Sequence, residues 1–406
     1  MTLQNMPLRG EDIRKKNEKI VLCAIQKSDG LSQSDIVNLT GLKAPTVLRI
    51  FTILEKRGLI KIAKDYAIKD LDKRGRKPVY YRVIPTAHYV IGVEFWSRTA
   101  HVLIVDFSKQ PVYSEDLTFP EGSDADTIVA LIGDLVVRAL EKTGIEKEKI
   151  LGMGIGAPGR INVDTGEIIY YARIIGFTNY PLGSRLQERF KMHVSVNNNA
   201  GVIAMNAYRR GVAKNSDALF TYFIRQGVGG AFITNGRLVS VLGKTVFEVG
   251  HTTAVVDGRP CYCGAKGCLE TYISETAILE AACRNGYDFT EIEQVAQKLR
   301  NGDETLERLI RKEAVQLVMS AQNIFRTLSP DGFLIITRSK EISELYAKII
   351  QECLVHDSYN AKDAKVVVYA DTYSPIEAGF GACDLIFDRF FYSTRDTSSG
   401  GLRYSM

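Results

Sequence analysis

The side chains best placed to hold a cation are His251, Cys261, Cys263 and Cys268. Nine residues separate the histidine from the first cysteine, one separates Cys261 from Cys263, and four separate Cys263 from Cys268. One imidazole and three thiolates complete a tetrahedral ligand set and leave no open position for a catalytic water. A closed set of this kind reads as structural zinc, which holds a loop and does no chemistry. Glycines at 258, 264 and 267 leave that loop free to wrap tightly around an ion. Seven cysteines is an odd number, and the charged N-terminus is not a secretory signal. The cluster therefore predicts a metal site in a reducing compartment, and the chain is expected to be soluble and cytoplasmic.

A second chemistry is written in the charge. Residues 1–85 hold 18 Lys or Arg against 9 Asp or Glu, a net +9, while the rest holds 34 against 38, a net −4. A small basic module on a mildly acidic body is the electrostatic footprint of nucleic-acid binding. Its pattern agrees. An apolar face through Ile13, Ile20, Val21, Ala24 and Ile25 predicts a helix over residues 9–27. Ser32 with Asp35 three residues on predicts a capped short helix that ends near Gly41. Pro45 suits the first turn of a third helix through Val47, Phe51 and Leu54. This is a helix-turn-helix, and Lys43, Ala44, Thr46 and Arg49 lie off the apolar stripe, where they would meet base edges and phosphates. Strands at 59–63 and 79–83 would form a wing. Its tip carries Arg74, Gly75, Arg76 and Lys77, which can enter a narrow minor groove.

Those elements attach to a larger body. The chain's 406 residues, 45% hydrophobic and 24% charged, are enough for real cores and exclude a disordered or disulfide-stapled class. No apolar run approaches a bilayer's thickness, so no membrane partner is expected. From Tyr89 the pattern becomes alternating strands and helices with glycine-rich turns, that of an α/β domain. A hairpin is predicted at 90–106, a helix at 124–143, a buried strand at 150–156, and a strand-helix pair at 194–210. Gly227, Gly229 and Gly230 suggest a turn between two strands, helices dominate 274–328, and strands return at 332–336 and 365–369. Cys23, Cys283, Cys353 and Cys383 read as small buried hydrophobes.

The segment Phe247-Glu248-Val249-Gly250-His251, with Cys261-Tyr262-Cys263-Gly264 and Gly267-Cys268-Leu269-Glu270, resembles the zinc and sugar signature of the ROK family (repressors, open reading frames and kinases). The resemblance covers essentially the whole chain, including Ala157-Pro158-Gly159, the glycine turn and the Glu377–Ala382 helix start. It implies an α/β fold: an actin/hexokinase-like, two-lobed ROK domain preceded by a winged helix-turn-helix. The implied domains are a DNA-binding module at 1–85, an N-terminal lobe at 86–200 to which the last helix returns, and a C-terminal lobe with the zinc loop at 201–406. Family sugar contacts map onto Asn198, Glu248, His251 and Glu270, with Asn199 at the position of the family's catalytic Asp. His251 could then bind zinc through one ring nitrogen and a sugar through the other. Gly201 and Phe247 depart from the family's usual Asn and Gly.

Three alterations fall where kinase members do their chemistry. The glycine-rich phosphate loop is replaced by Glu94-Phe95-Trp96-Ser97-Arg98-Thr99. The Asn-Asp pair reads Asn198-Asn199, and an amide has no basic lone pair to take a hydroxyl proton. The Gly-Gly near the adenine site reads Thr337-Arg338. The expectation is a regulator of carbohydrate genes, a repressor without catalytic residues, acting as a homodimer or dimer of dimers on double-stranded operator DNA with a sugar effector and structural Zn2+. The alternatives are an ATP-dependent sugar kinase with a regulatory DNA module, and a regulator controlled by another protein.

Overall fold

The structure, a computed structural model, describes residues 10–64, 78–245, 247–355 and 366–392. The basic segment opens with α1 (Gly10–Gln26), strand β1 (Leu31–Ser32), α2 (Gln33–Thr40) and α3 (Ala44–Lys56), then β2 (Ile60–Ile62) and β3 (Tyr80–Val83). Ser32 caps α2 as its sequence demands: the Asp35 N–H donates to Ser32 Oγ at 3.2 Å and the Ser32 N–H to Asp35 Oδ2 at 2.8 Å. Gly41 closes the helix with φ +67°, a conformation that side chains resist. The two-residue β1 is too short to leave a sequence pattern. It pairs antiparallel with β3 and completes a sheet in the order β1-β3-β2. Arg74, Gly75, Arg76 and Lys77 lie outside the described residues.

The body begins with an antiparallel meander of β4 (Tyr89–Phe95), β5 (Thr99–Asp106) and β6 (Pro111–Thr118). Only the first two were legible as a hairpin. β6 is an edge strand with no buried residue, so no apolar run marks it. After α4 (Ala125–Thr143), β7 (Ile150–Ala157) pairs parallel with β4. Strands β8 (Arg160–Asn162), β9 (Glu167–Tyr170) and β10 (Thr178–Tyr180) form a small separate sheet that the sequence pattern did not show. Then come α5 (Leu182–Phe190), β11 (Val194–Asn198) parallel to β7, and α6 (Asn199–Arg210). The first large sheet has the order β11-β7-β4-β5-β6.

The second lobe repeats that plan. β12 (Ala218–Ile224), β13 (Val228–Thr234) and β14 (Arg237–Leu238) are antiparallel. The chain next makes α7 (Glu270–Ile273), α8 (Glu275–Arg284), α9 (Ile292–Arg300), α10 (Glu304–Glu313) and α11 (Val315–Leu328). β15 (Gly332–Thr337), α12 (Lys340–Val355), β16 (Val367–Thr372) and α13 (Pro375–Tyr392) close the described chain. The order β14-β13-β12-β15-β16 is again three antiparallel strands followed by two parallel ones. Gly227 makes the expected turn, but Gly229 and Gly230 lie inside β13. A Cβ on Gly230 would press on Phe247 O at 3.0 Å. Cys23 and Cys383 are buried, whereas Cys283 is exposed and Cys353 half-buried, because both stand on outward positions of amphipathic helices.

The last helix organises all three units. α13 returns to the first lobe and lies on β4, β5 and β7 while also packing against α6. Its backbone touches theirs: a Cβ on Gly92 would overlap Gly379 O, one on Gly154 would overlap Ala382 O, and one on Gly381 would overlap Val202 O. Its far end enters the core of the basic module, where Phe387 and Phe391 cluster with Phe107 of the body and with Leu22, Ile25 and Phe51. Gln26 Nε2 donates to Phe107 O at 3.1 Å and Lys27 Nζ to the Tyr392 hydroxyl at 3.1 Å, fastening α1 to the body. Gly154→Ala is expected to destabilise the protein by about 2–3 kcal/mol, since backbone cannot move aside for the methyl group. Urea unfolding measures this, and an unchanged midpoint would mean that α13 does not lie on β7.

Candidate functional site

Gly258, Gly264 and Gly267 fold the segment after Val249 back on itself. Gly264 and Gly267 have φ of +90° and +72°. Two backbone bonds, Gly267 N–H to Arg259 O (2.7 Å) and Cys261 N–H to Ala265 O (2.9 Å), close the loop. The result gathers ligand atoms of His251, Cys261, Cys263 and Cys268 within 4.8 Å of one another. Cys261 Sγ lies 3.6 Å from His251 Nδ1, and Cys263 Sγ lies 3.7 Å from Cys268 Sγ. Burial raises the Cys261 and Cys268 thiols, so a cation bound there must displace their protons. The four residues singled out in the sequence are thus one cluster that could hold a metal ion.

Two of the expected sugar contacts, Glu270 and Glu248, lie beside it. Glu270, at the start of α7, is buried, with Oε1 accepting from the Cys261 thiol at 3.0 Å and lying 3.7 Å from His251 Nδ1. Glu248 is solvent-exposed and within electrostatic reach of His251, Arg160 and Glu270. His251 Nε2, the nitrogen expected to face a sugar, is paired with the Tyr262 hydroxyl at 3.2 Å. A sugar at that nitrogen would have to displace Tyr262. Asn198 stands at the end of β11 and caps α6, its Oδ1 accepting from the Gly201 N–H at 2.9 Å. The unusual Gly201 serves that cap, because a Cβ there would come within 2.7 Å of Asn198 Oδ1. Asn197, Asn198, Gly201, Gly230 and Phe247 line a cavity of about 170 Å³.

Asn199 belongs to a second constellation. It is buried, its Nδ2 donating to Phe95 O at 3.0 Å. Beside it Glu94, the penultimate residue of β4, is 1% exposed and accepts from the Tyr373 hydroxyl at 2.9 Å. The Arg225 guanidinium, at the end of β12, lies between two rings, 4.6 Å from the Trp96 centroid and 4.6 Å from that of Tyr373. This stack crosses from one lobe to the other. The backbone N–H of Trp96 donates to Thr99 O at 2.7 Å, so the turn closes on itself. Among the described residues, Glu94 Oε1, Trp96 Nε1, Asn199 Oδ1 and Arg225 Nη1 have no hydrogen-bond partner. Burial pushes the Glu94 carboxyl up to about 7, against the pull of Arg225 and the Tyr373 hydroxyl. Arg225 and Tyr373 escaped the sequence reading because neither sits in a motif. Each follows a strand end, and only the sheet order brings them to Trp96.

The third expected surface is on α3. Val47, Ile50, Phe51 and Leu54 face the core, leaving Lys43, Ala44 and Arg49 exposed and Thr46 half-buried on the outer side. The basic residues of the wing tip cannot be placed beside them, since they lie outside the described residues.

Comparison with known proteins fits this geometry. The chain matches the ROK family profile over residues 90–388 and a winged helix-turn-helix DNA-binding profile over residues 14–61. It is 24% identical over 363 residues to a xylose repressor of Caldicellulosiruptor bescii, covering 86% of this chain and 90% of that one. It is 30% identical over 195 residues to a glucokinase of Halalkalibacterium halodurans, covering 48% of this chain and 59% of that protein. The crystal structure of a ROK family transcriptional regulator, a homolog of the E. coli MLC protein, superposes with a TM-score of 0.78 at 18% identity, covering 94% of this chain and 98% of that one.

The buried Glu94 makes a pH prediction. Its folded pKa of about 7 lies above the ordinary 4.5, so ionisation opposes folding and stability falls as pH rises through that window. Glu94→Gln should leave stability near pH 4 unchanged and raise it by about 3 kcal/mol at pH 8. Urea midpoints at the two pH values test this, and an equal change at both would refute it.

Proposed function

The chain belongs to the ROK family, and on that premise we propose that it is a carbohydrate-responsive transcriptional repressor that does not phosphorylate sugars. The observation that carries this reading is the Trp96–Arg225–Tyr373 stack in the cleft where kinase members cradle nucleotide phosphates. Phosphoryl transfer needs backbone N–H groups around the phosphates, a bound Mg2+ and a base on the attacking hydroxyl. Here a tryptophan replaces glycine, its backbone N–H is bonded within the turn, and Asn199 replaces the carboxylate. The glucokinase relative favours a kinase reading, but its match covers only half of this chain and excludes neither replacement. The repressor relative, matched over both module and body, supports the regulatory one.

In this reading Lys43, Ala44, Thr46 and Arg49 on α3 face the major groove, with Arg74, Gly75, Arg76 and Lys77 reaching the minor groove. A homodimer places two modules on paired half-sites, which multiplies contacts that one small module cannot supply. The effector is a carbohydrate held by Asn198, Asn199, Glu248, His251 and Glu270. Its hydroxyls both donate and accept, which suits a mixed set of amides and carboxylates. Effector binding biases the closure of the lobes, and α13 carries the change to α1, because both ends of that helix are packed without slack. The effector acts only through its differential affinity for the two states.

Zinc is the ion that the donor set fits. Tetrahedral Zn–S bonds of about 2.3 Å place two sulfurs about 3.8 Å apart, and Cys263 and Cys268 stand at 3.7 Å. His251, Cys261, Cys263 and Cys268 would hold it, and it would supply loop rigidity that orients Glu270 and His251.

Two measurements test this reading. Metal analysis is expected to find about one zinc per chain, lost in Cys268→Ser together with several degrees of thermal stability; a metal-free, equally stable wild type would refute the zinc assignment. Selection of genomic fragments near physiological salt should recover discrete sites beside carbohydrate genes. Arg49→Ala should weaken binding to them by about 1–3 kcal/mol. Capture without sequence preference would overturn the repressor reading.

A further inference from the structure

The helix α3 carries two apolar stripes, and only one of them has a partner in the fold. Val47, Ile50, Phe51 and Leu54 form the buried stripe, which packs into the core of the module. On the solvated side Ala44, Leu48 and Thr52 follow one another at four-residue spacing, which makes them neighbours on one helix face. All three are exposed, Leu48 by 54%. Thr52 Oγ1 donates to Leu48 O at 3.0 Å, so its hydroxyl hydrogen is spent on the helix backbone. The middle of this face is therefore apolar, although Lys43, Arg49 and Lys56 stand exposed beside it in the sequence.

What the face lacks is the second observation. A helix that reads bases by hydrogen bonding carries Asn or Gln for adenine, or an acid for cytosine. Between Ala44 and Ile53 α3 has none of these, and Arg49 is the one long polar side chain among those ten residues. Leu48 is the fifth residue of the helix, within the N-terminal stretch that such helices direct at base edges. Folding does not explain a leucine there, since alanine, lysine or glutamate would serve an exposed helix position as well. The apolar partner that a major groove offers is the C5-methyl group of thymine.

We propose that Leu48 selects the operator through contact with a thymine methyl group, with Ala44 one turn earlier adding a smaller apolar surface. The proposal rests on the DNA-binding reading of α3. Under it each half-site carries a thymine that faces the second turn of this helix, while the basic side chains supply affinity that is blind to sequence. The contact discriminates by exclusion as well as by attraction. A C·G pair presents an amino donor in the same groove, and a leucine laid over it would leave that donor without a partner.

The test uses the full chain and the tightest-binding duplex recovered by genomic selection, with uracil placed for thymine one position at a time. That change removes only the methyl group. Uracil at one thymine of each half-site is expected to weaken wild-type binding about fourfold, equivalent to about 0.8 kcal/mol for one buried methyl group. Leu48→Ala should bind the thymine duplex more weakly than the wild type and show no further loss with uracil, which isolates the contact as a coupling. Its urea midpoint should be unchanged, because the side chain is exposed. Arg49→Ala should weaken binding overall and keep the uracil penalty. A wild type indifferent to uracil at every position overturns the proposal. So does a penalty that persists undiminished in Leu48→Ala, or one that Arg49→Ala abolishes as well. Failure to select discrete fragments would come before any of these results and sink the DNA-binding reading itself, and this proposal with it.

Discussion

The close packing of α13 is the constraint on which the rest of the molecule depends. A helix can lie directly on the backbone of two strands and a second helix only where side chains are absent at the crossings. Gly92, Gly154 and Gly381 supply those absences. The crossing joins β4 and β7 of the first lobe to α6, which leads into the second, and its continuation fills the module's core with Phe387 and Phe391. Such contacts shift as rigid bodies rather than deform, because close-packed interiors have no slack to absorb motion.

That rod starts beside the aromatic–guanidinium stack. Pro375 follows Tyr373 by two residues, and Tyr373 binds Glu94 and flanks Arg225. The other end of the helix, at Tyr392, meets Cys23 of α1 and Lys27, the residue that follows it. The Trp96–Arg225–Tyr373 stack is therefore mechanically continuous with the winged helix-turn-helix module. It leaves four buried polar atoms unmatched, an energetic debt that stable cores seldom carry away from functional sites.

The metal loop plays a different part. Its ligands lie on one short segment and so need little tertiary help to meet, but Glu270 links them to the cleft. The same carboxylate accepts from Cys261 and faces the Gly227 turn, where a Cβ would lie 3.3 Å from its Oε2. A cation that ordered the thiols would free Glu270 from the Cys261 proton and present it to a ligand.

Local chemistry was legible in the chain itself. The Ser32–Asp35 capping box, the α3 apolar stripe, the Cys3His spacing and the Asn198-Asn199 pair depend on neighbours a few residues away, and the structure keeps all of them. The winged module and the two-lobed family fold could be read through such motifs. Tertiary structure decided what depends on distant segments. The repeated sheet order has no counterpart in sequence repetition, because topology constrains burial and not residue identity. Strand β6 gave no apolar signal because its two faces are both partly wet. The Trp96–Arg225–Tyr373 stack and the Tyr262 partner of His251 join residues up to hundreds of positions apart. Only the fold sets those distances, and the packing between the lobes follows from them.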